Sequence, residues 1–154
     1  MPSRATFLLA TSATLLSAQA PSPEEAALRR VVDAYHDAVA RKDLATLASL
    51  FHPDLVVFES GGVNPTRADY LDHHLGPELK ELHSWRTDGM EVRLVPGKET
   101  AMALCHFTYQ AQTMGGKQYA GEATETLGLV LTSEGWRIRH LHWSSRRLSP
   151  KARS

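Results

Sequence analysis

A single cysteine, Cys105, leaves no partner for an internal disulfide in this 154-residue chain. It sits in an apolar, strand-like run and reads as a small core residue rather than a nucleophile. Excess charge of one sign is missing too, since 17 basic residues face 17 acidic ones. That balance removes the bulk attraction that nucleic acid or an anionic membrane surface would exert. The sequence has no glycine-rich phosphate loop, no nucleophile elbow and no paired CxxC, and Gly61-Gly62 and Gly115-Gly116 read as turns. No apolar run reaches the about 20 residues needed to span a bilayer. Neither nucleic acid nor a membrane is therefore an expected partner.

What the chain does have begins with a leader-like segment. Arg4 supplies a positive charge, residues 5–16 are mildly apolar, and Ala18-Gln19-Ala20 has the small-x-small form of a cleavage site, with Pro21 after it. Residues 1–20 are expected to be a signal peptide and the protein to be secreted or periplasmic. Residues 22–147 read as one domain, long enough for an ordinary core. Residues 148–154 read as a loose basic tail.

Ser22, Pro23 and Glu25 have the form of a capping box opening a helix, and Leu28, Val31, Val32, Tyr35 and Val39 follow at helical spacing. Asp43 caps a second, shorter helix that buries Leu44, Leu47, Leu50 and Phe51 and stops at Pro53. Residues 55–59 (LVVFE) form a short strand, broken by Ser60-Gly61-Gly62. Thr66 and Asp69 start a third helix that Gly76-Pro77 ends or kinks. From His83 onward the chain alternates as long strands joined by Pro96-Gly97, Gly115-Gly116 and Ser133-Glu134-Gly135. Gly121 and Gly128, inside one of these strands, point to bulges or bends. The order predicts an α+β fold. A cone-like, curled antiparallel sheet, about four long strands plus a short one, packs on three N-terminal helices.

The last strand, GWRIRHLHWSSR over residues 135–146, organises the expected site. Strict alternation places Trp136, Ile138, His140, His142 and Ser144 on one face and Arg137, Arg139, Leu141 and Trp143 on the other. The first face runs from apolar residues to two histidines and a hydroxyl, as a core opening into a polar pocket would. The second puts Trp143 on the outside, where a homodimer contact is expected.

Residues 42–51, KDLATLASLF, lead into His52-Pro53-Asp54. Glu125-Thr126 precedes a Gly-Trp turn and then Arg139–Ser144. Glu59-Ser-Gly-Gly is followed by residues 68–78, ADYLDHHLGPE. Together with the element order, these patterns resemble the nuclear transport factor 2-like superfamily, and within it the SnoaL-like and ketosteroid-isomerase-like proteins. The last hairpin also resembles the association domain of calcium/calmodulin-dependent protein kinase II, and residues 59–78 resemble a secreted bacterial subgroup.

The isomerase resemblance implies a carboxylate base at the end of the first strand and a tyrosine donor on the first helix, which fall on Glu59 and Tyr35. The family base is an aspartate, one methylene shorter. The family's second acid falls near Glu125 or Thr126, where no acid is assigned to the pocket face. Base and donor together suit proton transfer beside a carbonyl. His142 joins them as a catalytic candidate, and His140, His74, His106, Trp85 and Ser144 as ligand contacts. The i, i+2 spacing of His140 and His142 also suits two ligands of one metal, with His74 or His106 as a third, and copper or zinc as the expected ion. The readings left open are acid/base isomerase or lyase chemistry on a small-molecule ligand, with no organic cofactor, metal binding through the pocket histidines, and a non-catalytic oligomeric assembly module.

Overall fold

The computed structural model describes residues 20–148. The expected signal peptide lies almost wholly outside them, as does the basic tail beyond Leu148.

Helix α1 spans Pro23–Arg41 and opens with a complete capping box. The Ser22 hydroxyl accepts the Glu25 N–H at 3.1 Å, and the Glu25 carboxylate accepts the Ser22 N–H at 2.8 Å. Leu28, Val32, Tyr35 and Ala38 form its buried stripe. Lys42, left-handed at φ 59°, ends it. Asp43 caps α2 (Leu44–Leu50) through the Thr46 N–H. Phe51, read from the sequence as helical, starts β1 (Phe51–Glu59) and is fully buried.

A short β2 (Gly62–Asn64) pairs back on β1, and α3 follows over residues 67–81. Gly76-Pro77 neither ends nor simply kinks α3. Its middle, Tyr70–Leu75, widens into a π-helix in which the Gly76 N–H donates to the Leu71 carbonyl, and the helix continues to Glu81. A Cβ at position 76 would collide with that carbonyl, so only glycine admits the wide turn here.

Four long strands complete the chain: β3 (Leu82–Val95), β4 (Thr100–Thr113), β5 (Gln118–Thr132) and β6 (Gly135–Arg147). The sheet order is β2-β1-β6-β5-β4-β3. The meander is antiparallel, as expected, but β1 runs parallel to β6, so the sheet is mixed. No hairpin joins β1 to β6, and the direction of that pair is free of the constraint a tight turn imposes. The helices fill the concave side, where Leu28, Val32 and Leu47 pack with Leu127, Leu129, Ile138 and Leu141.

One irregularity in β6 changes the reading of the site. Leu129 pairs with Ile138 and Gly128 with His140, so Arg139 has no partner on β5. This β-bulge inserts one residue and inverts the alternation beyond it. Trp136 and Ile138 face the core as expected, but past Arg139 the inward residues are Leu141 and Trp143. His140, His142 and Ser144 consequently lie on the outer face, and Trp143 is not the outer contact expected of it.

Candidate active site

Between α1, α3 and the concave face of the sheet lies a cavity of about 260 Å³. This is slightly below the roughly 300–1,000 Å³ usual for ligand sites, a size that suits one ring or a compact pair of rings. Its wall is aromatic. Trp85 of β3 and Tyr109 of β4 stack at 4.8 Å between centroids and 13° between planes. Trp143 of β6 packs at 6.0 Å from Trp85 and 5.8 Å from Tyr109. Gly121 of β5 permits this wall, because the Tyr109 ring occupies the space its Cβ would fill. Gly121 therefore marks a close approach, whereas Gly128 does sit at the bulge. A larger open trough of about 1130 Å³ continues from Trp85 past Tyr119, Lys117 and Arg147, but no carboxylate or histidine lines it.

Glu59 closes the cavity at the end of β1, just before a tight turn in which Ser60 and Gly61 both take positive φ. Its carboxylate lies 3.4 Å from His74 Nε2, which is also 3.3 Å from Glu78 Oε1. The Asn64 amide nitrogen is 3.0 Å from His74 Nδ1. That contact orients the ring so that Nε2 faces the two carboxylates. Burial first, and then the negative charge of Glu78, push the Glu59 carboxyl above its ordinary range; His74 opposes them, and Glu125 adds to them. The direction of this shift makes Glu59 a stronger base than an ordinary carboxylate.

Two tyrosines besides Tyr109 line the same cavity. The Tyr35 hydroxyl donates to Glu125 Oε1 at 3.0 Å. Burial and then the Glu125 charge hold its acidity well below that of a free phenol. Tyr70, on the π-turn of α3, is suppressed likewise by burial and by Glu59. Both remain neutral phenols; the Tyr35 proton is committed to Glu125, and Tyr70 keeps a hydroxyl that can donate into the cavity. Behind Tyr35, Glu125 is the one buried charged residue of the described chain. His36 Nε2 lies 3.2 Å from Glu125 Oε2, yet neither atom has a hydrogen-bond partner.

The structure thus brings together Glu59, Tyr35, His74 and Trp85 of the residues singled out in the sequence. It does not bring His140, His142, Ser144 or His106 to them. His140 Nδ1 meets the Val56 carbonyl at 3.1 Å, and both His140 and His142 stand edge-on to Phe58 on the outer face. Ser144 is exposed there, one residue from Ser145, which lines the cavity. His106 is exposed and pairs with Glu122 at 2.9 Å. The expected metal set of His140, His142 and His74 does not converge. Among the described residues, three potential ligand atoms lie within 4.8 Å of one another only at His36, Cys105 and Glu125.

Sequence reasoning missed Tyr70, Tyr109, Trp143 and the inward placement of Glu125. Tyr70 carried a usable signal, because it lies four residues before His74 on one helix. Glu125 is directly opposite Cys105 on β4, and the apolar alternation of β5 on either side of it marks an inward position.

No curated protein matches the chain. Among solved structures it resembles a nuclear transport factor 2-like superfamily protein from Salmonella enterica, at 15% identity and TM-score 0.71 over 82% of this chain and 94% of that one. A candidate ketosteroid isomerase from Shewanella frigidimarina matches at 21% identity and TM-score 0.64, over 79% and 98%. A hexachlorocyclohexane dehydrochlorinase, LinA-type3, from Novosphingobium barchaimii matches at 16% identity and TM-score 0.66, over 80% and 89%. At these identities the likeness is one of fold. A profile of the SnoaL-like domain matches residues 28–147, and on that match the chain belongs to the SnoaL-like family, with the nuclear transport factor 2-like cone fold.

Proposed function

We propose that the protein is an acid/base enzyme acting on a small cyclic carbonyl compound, as an isomerase or lyase. The observation that carries this reading is Glu59, a carboxylate with raised proton affinity at the end of an aromatic cavity that two neutral tyrosines also face. Glu59 takes the proton from the carbon beside the carbonyl. A tyrosine hydroxyl donates to the oxygen on which negative charge develops. His74, with Nε2 3.4 Å from the Glu59 carboxylate, positions that group. Returning the proton to another carbon completes an isomerisation, and expelling a leaving group from the neighbouring carbon completes an elimination. The stacked rings of Trp85 and Tyr109 offer a flat wall for a flat substrate.

Proton exchange tests the reading without a known substrate. In deuterated buffer, a panel of one- and two-ring cyclic ketones is followed by NMR for loss of the hydrogen beside the carbonyl. Enzyme-dependent exchange with at least one ketone is expected, together with its loss in Glu59→Gln. Exchange that is undetectable across the panel, or undiminished in that variant, overturns the assignment.

The same reading includes export of the chain and a homodimer formed through the outer sheet face. Phe58, Met102 and Leu104 are exposed on that face. Sizing by light scattering checks the dimer, and a monomer at working concentration removes it.

A further inference from the structure

We propose that His36, Cys105 and Glu125 form a buried site for one zinc-like divalent cation, behind the cavity and separate from the outer histidines. Three elements converge there. Cys105 on β4 and Glu125 on β5 are directly opposite in the antiparallel ladder, which sets their Cβ atoms about 5 Å apart on the inward face. His36 reaches down from α1, beside Tyr35, with its ring edge-on to Phe107 at 5.3 Å. One ligand atom from each of the three lies within 4.8 Å of the others.

The polar atoms in this cluster are unsatisfied in a way a cation would correct. Glu125 Oε1 accepts from Tyr35, but Oε2 has no hydrogen-bond partner and Glu125 is 3% exposed. His36 Nε2 also lacks a partner, although it is only 3.2 Å from that oxygen. Two atoms bound to one tetrahedral zinc at about 2.0–2.1 Å stand roughly 3.3–3.4 Å apart, close to the spacing found here. Unpaired buried polar atoms are costly, and both would point at a shared ion.

The ligand chemistry selects the class of ion. Thiolate, imidazole and carboxylate together match borderline-soft zinc rather than calcium or magnesium, which take oxygen sets. A thiolate and a carboxylate carry two negative charges and the imidazole none, so a divalent ion makes the buried site neutral overall. A ligating cysteine is a thiolate, so binding displaces the thiol proton into solvent. Three protein ligands leave one tetrahedral position open, the pattern of zinc sites that keep a water.

Cobalt(II) reports the site directly, because a thiolate ligand gives it a near-ultraviolet charge-transfer band and tetrahedral geometry gives strong visible bands. Untagged protein, stripped with a chelator, is titrated with cobalt(II) and then zinc(II). One equivalent of cobalt is expected to bind with both bands, and zinc to displace it. Cys105→Ser is expected to lose the near-ultraviolet band, and His36→Ala to weaken binding by roughly 100-fold or more, at least the effect of losing an outer-shell partner. Absence of binding, or binding whose spectrum Cys105→Ser leaves unchanged, overturns the site. Wild-type protein alone provides a second readout, independent of how the variants fold. Zinc is expected to raise the melting temperature and to shield Cys105 from alkylation during partial unfolding, and an unshielded Cys105 at saturating zinc counts against the site.

Discussion

Ile138 and Leu141 lie three residues apart on one strand and both point into the core. A regular strand would set them on opposite faces, and the Arg139 bulge is what brings them to the same one. Deleting Arg139 removes the unpaired residue and is expected to leave a regular ladder in which Ile138, Leu141 and Trp143 still point inward. Both the deletion and Arg139→Ala then lose only the exposed pair with Asp54 at 3.0 Å, a change of about 0–1 kcal/mol. Urea melts of the two variants check this. A loss of several kcal/mol in the deletion, as when side chains worth about 1.5–3 kcal/mol each leave the core, would contradict the role given to the bulge.

Gly121→Ala addresses the aromatic wall. The new Cβ would stand 2.5 Å from ring atoms of Tyr109, which must move and break its stack on Trp85. A cost of about 1–3 kcal/mol is expected, as for other overpacked positions. Tryptophan fluorescence and the melting temperature should change together; an unshifted spectrum would mean that the ring tolerates the methyl group.

Glu59 sets a pH dependence whose sign is fixed by the direction of its shift. Its folded-state proton affinity is raised above the ordinary 4.5 by burial and by Glu78. The folded protein thus holds this proton where the unfolded chain has lost it, and stability falls as pH rises from near 4.5 through the folded-state value. Glu59→Gln should be more stable than wild type at neutral pH, with the difference fading below that window. Denaturant midpoints across a pH series measure it, and a difference independent of pH would contradict the shift.

Tyr35→Phe removes the donor to Glu125 Oε1 and leaves a buried carboxylate with less support. The expected cost is about 1–3 kcal/mol, read from a urea midpoint at unchanged slope. The Tyr35 proton is committed to Glu125, so Tyr70 is the donor that meets developing negative charge, and Tyr70→Phe should lower exchange at the ketone by about 10²–10³. Full stability in Tyr35→Phe, or full activity in Tyr70→Phe, would remove the role given to that residue.

The helices were legible because their signals are local. The capping box at Ser22 and the stripe from Leu28 through Tyr35 depend on neighbours within two turns. Glu59 at a strand end and Tyr35 on α1 were reached through family resemblance, and the structure sets both in one cavity. The π-turn at Tyr70–Leu75 was hidden, since Gly76-Pro77 reads equally as a helix stop.

The sequence by itself determined the α+β order of elements, the inward stripe of α1 and the long strands, because propensity and periodicity act over a few residues. Only the tertiary structure decided which residues of β6 face the cavity. A bulge is defined by the partner strand, and GWRIRHLHWSSR carries no mark of the single residue, Arg139, that β5 leaves unpaired. The pairing of Cys105 with Glu125 beneath His36 was likewise decided by strand register and helix docking, which join positions up to 89 residues apart.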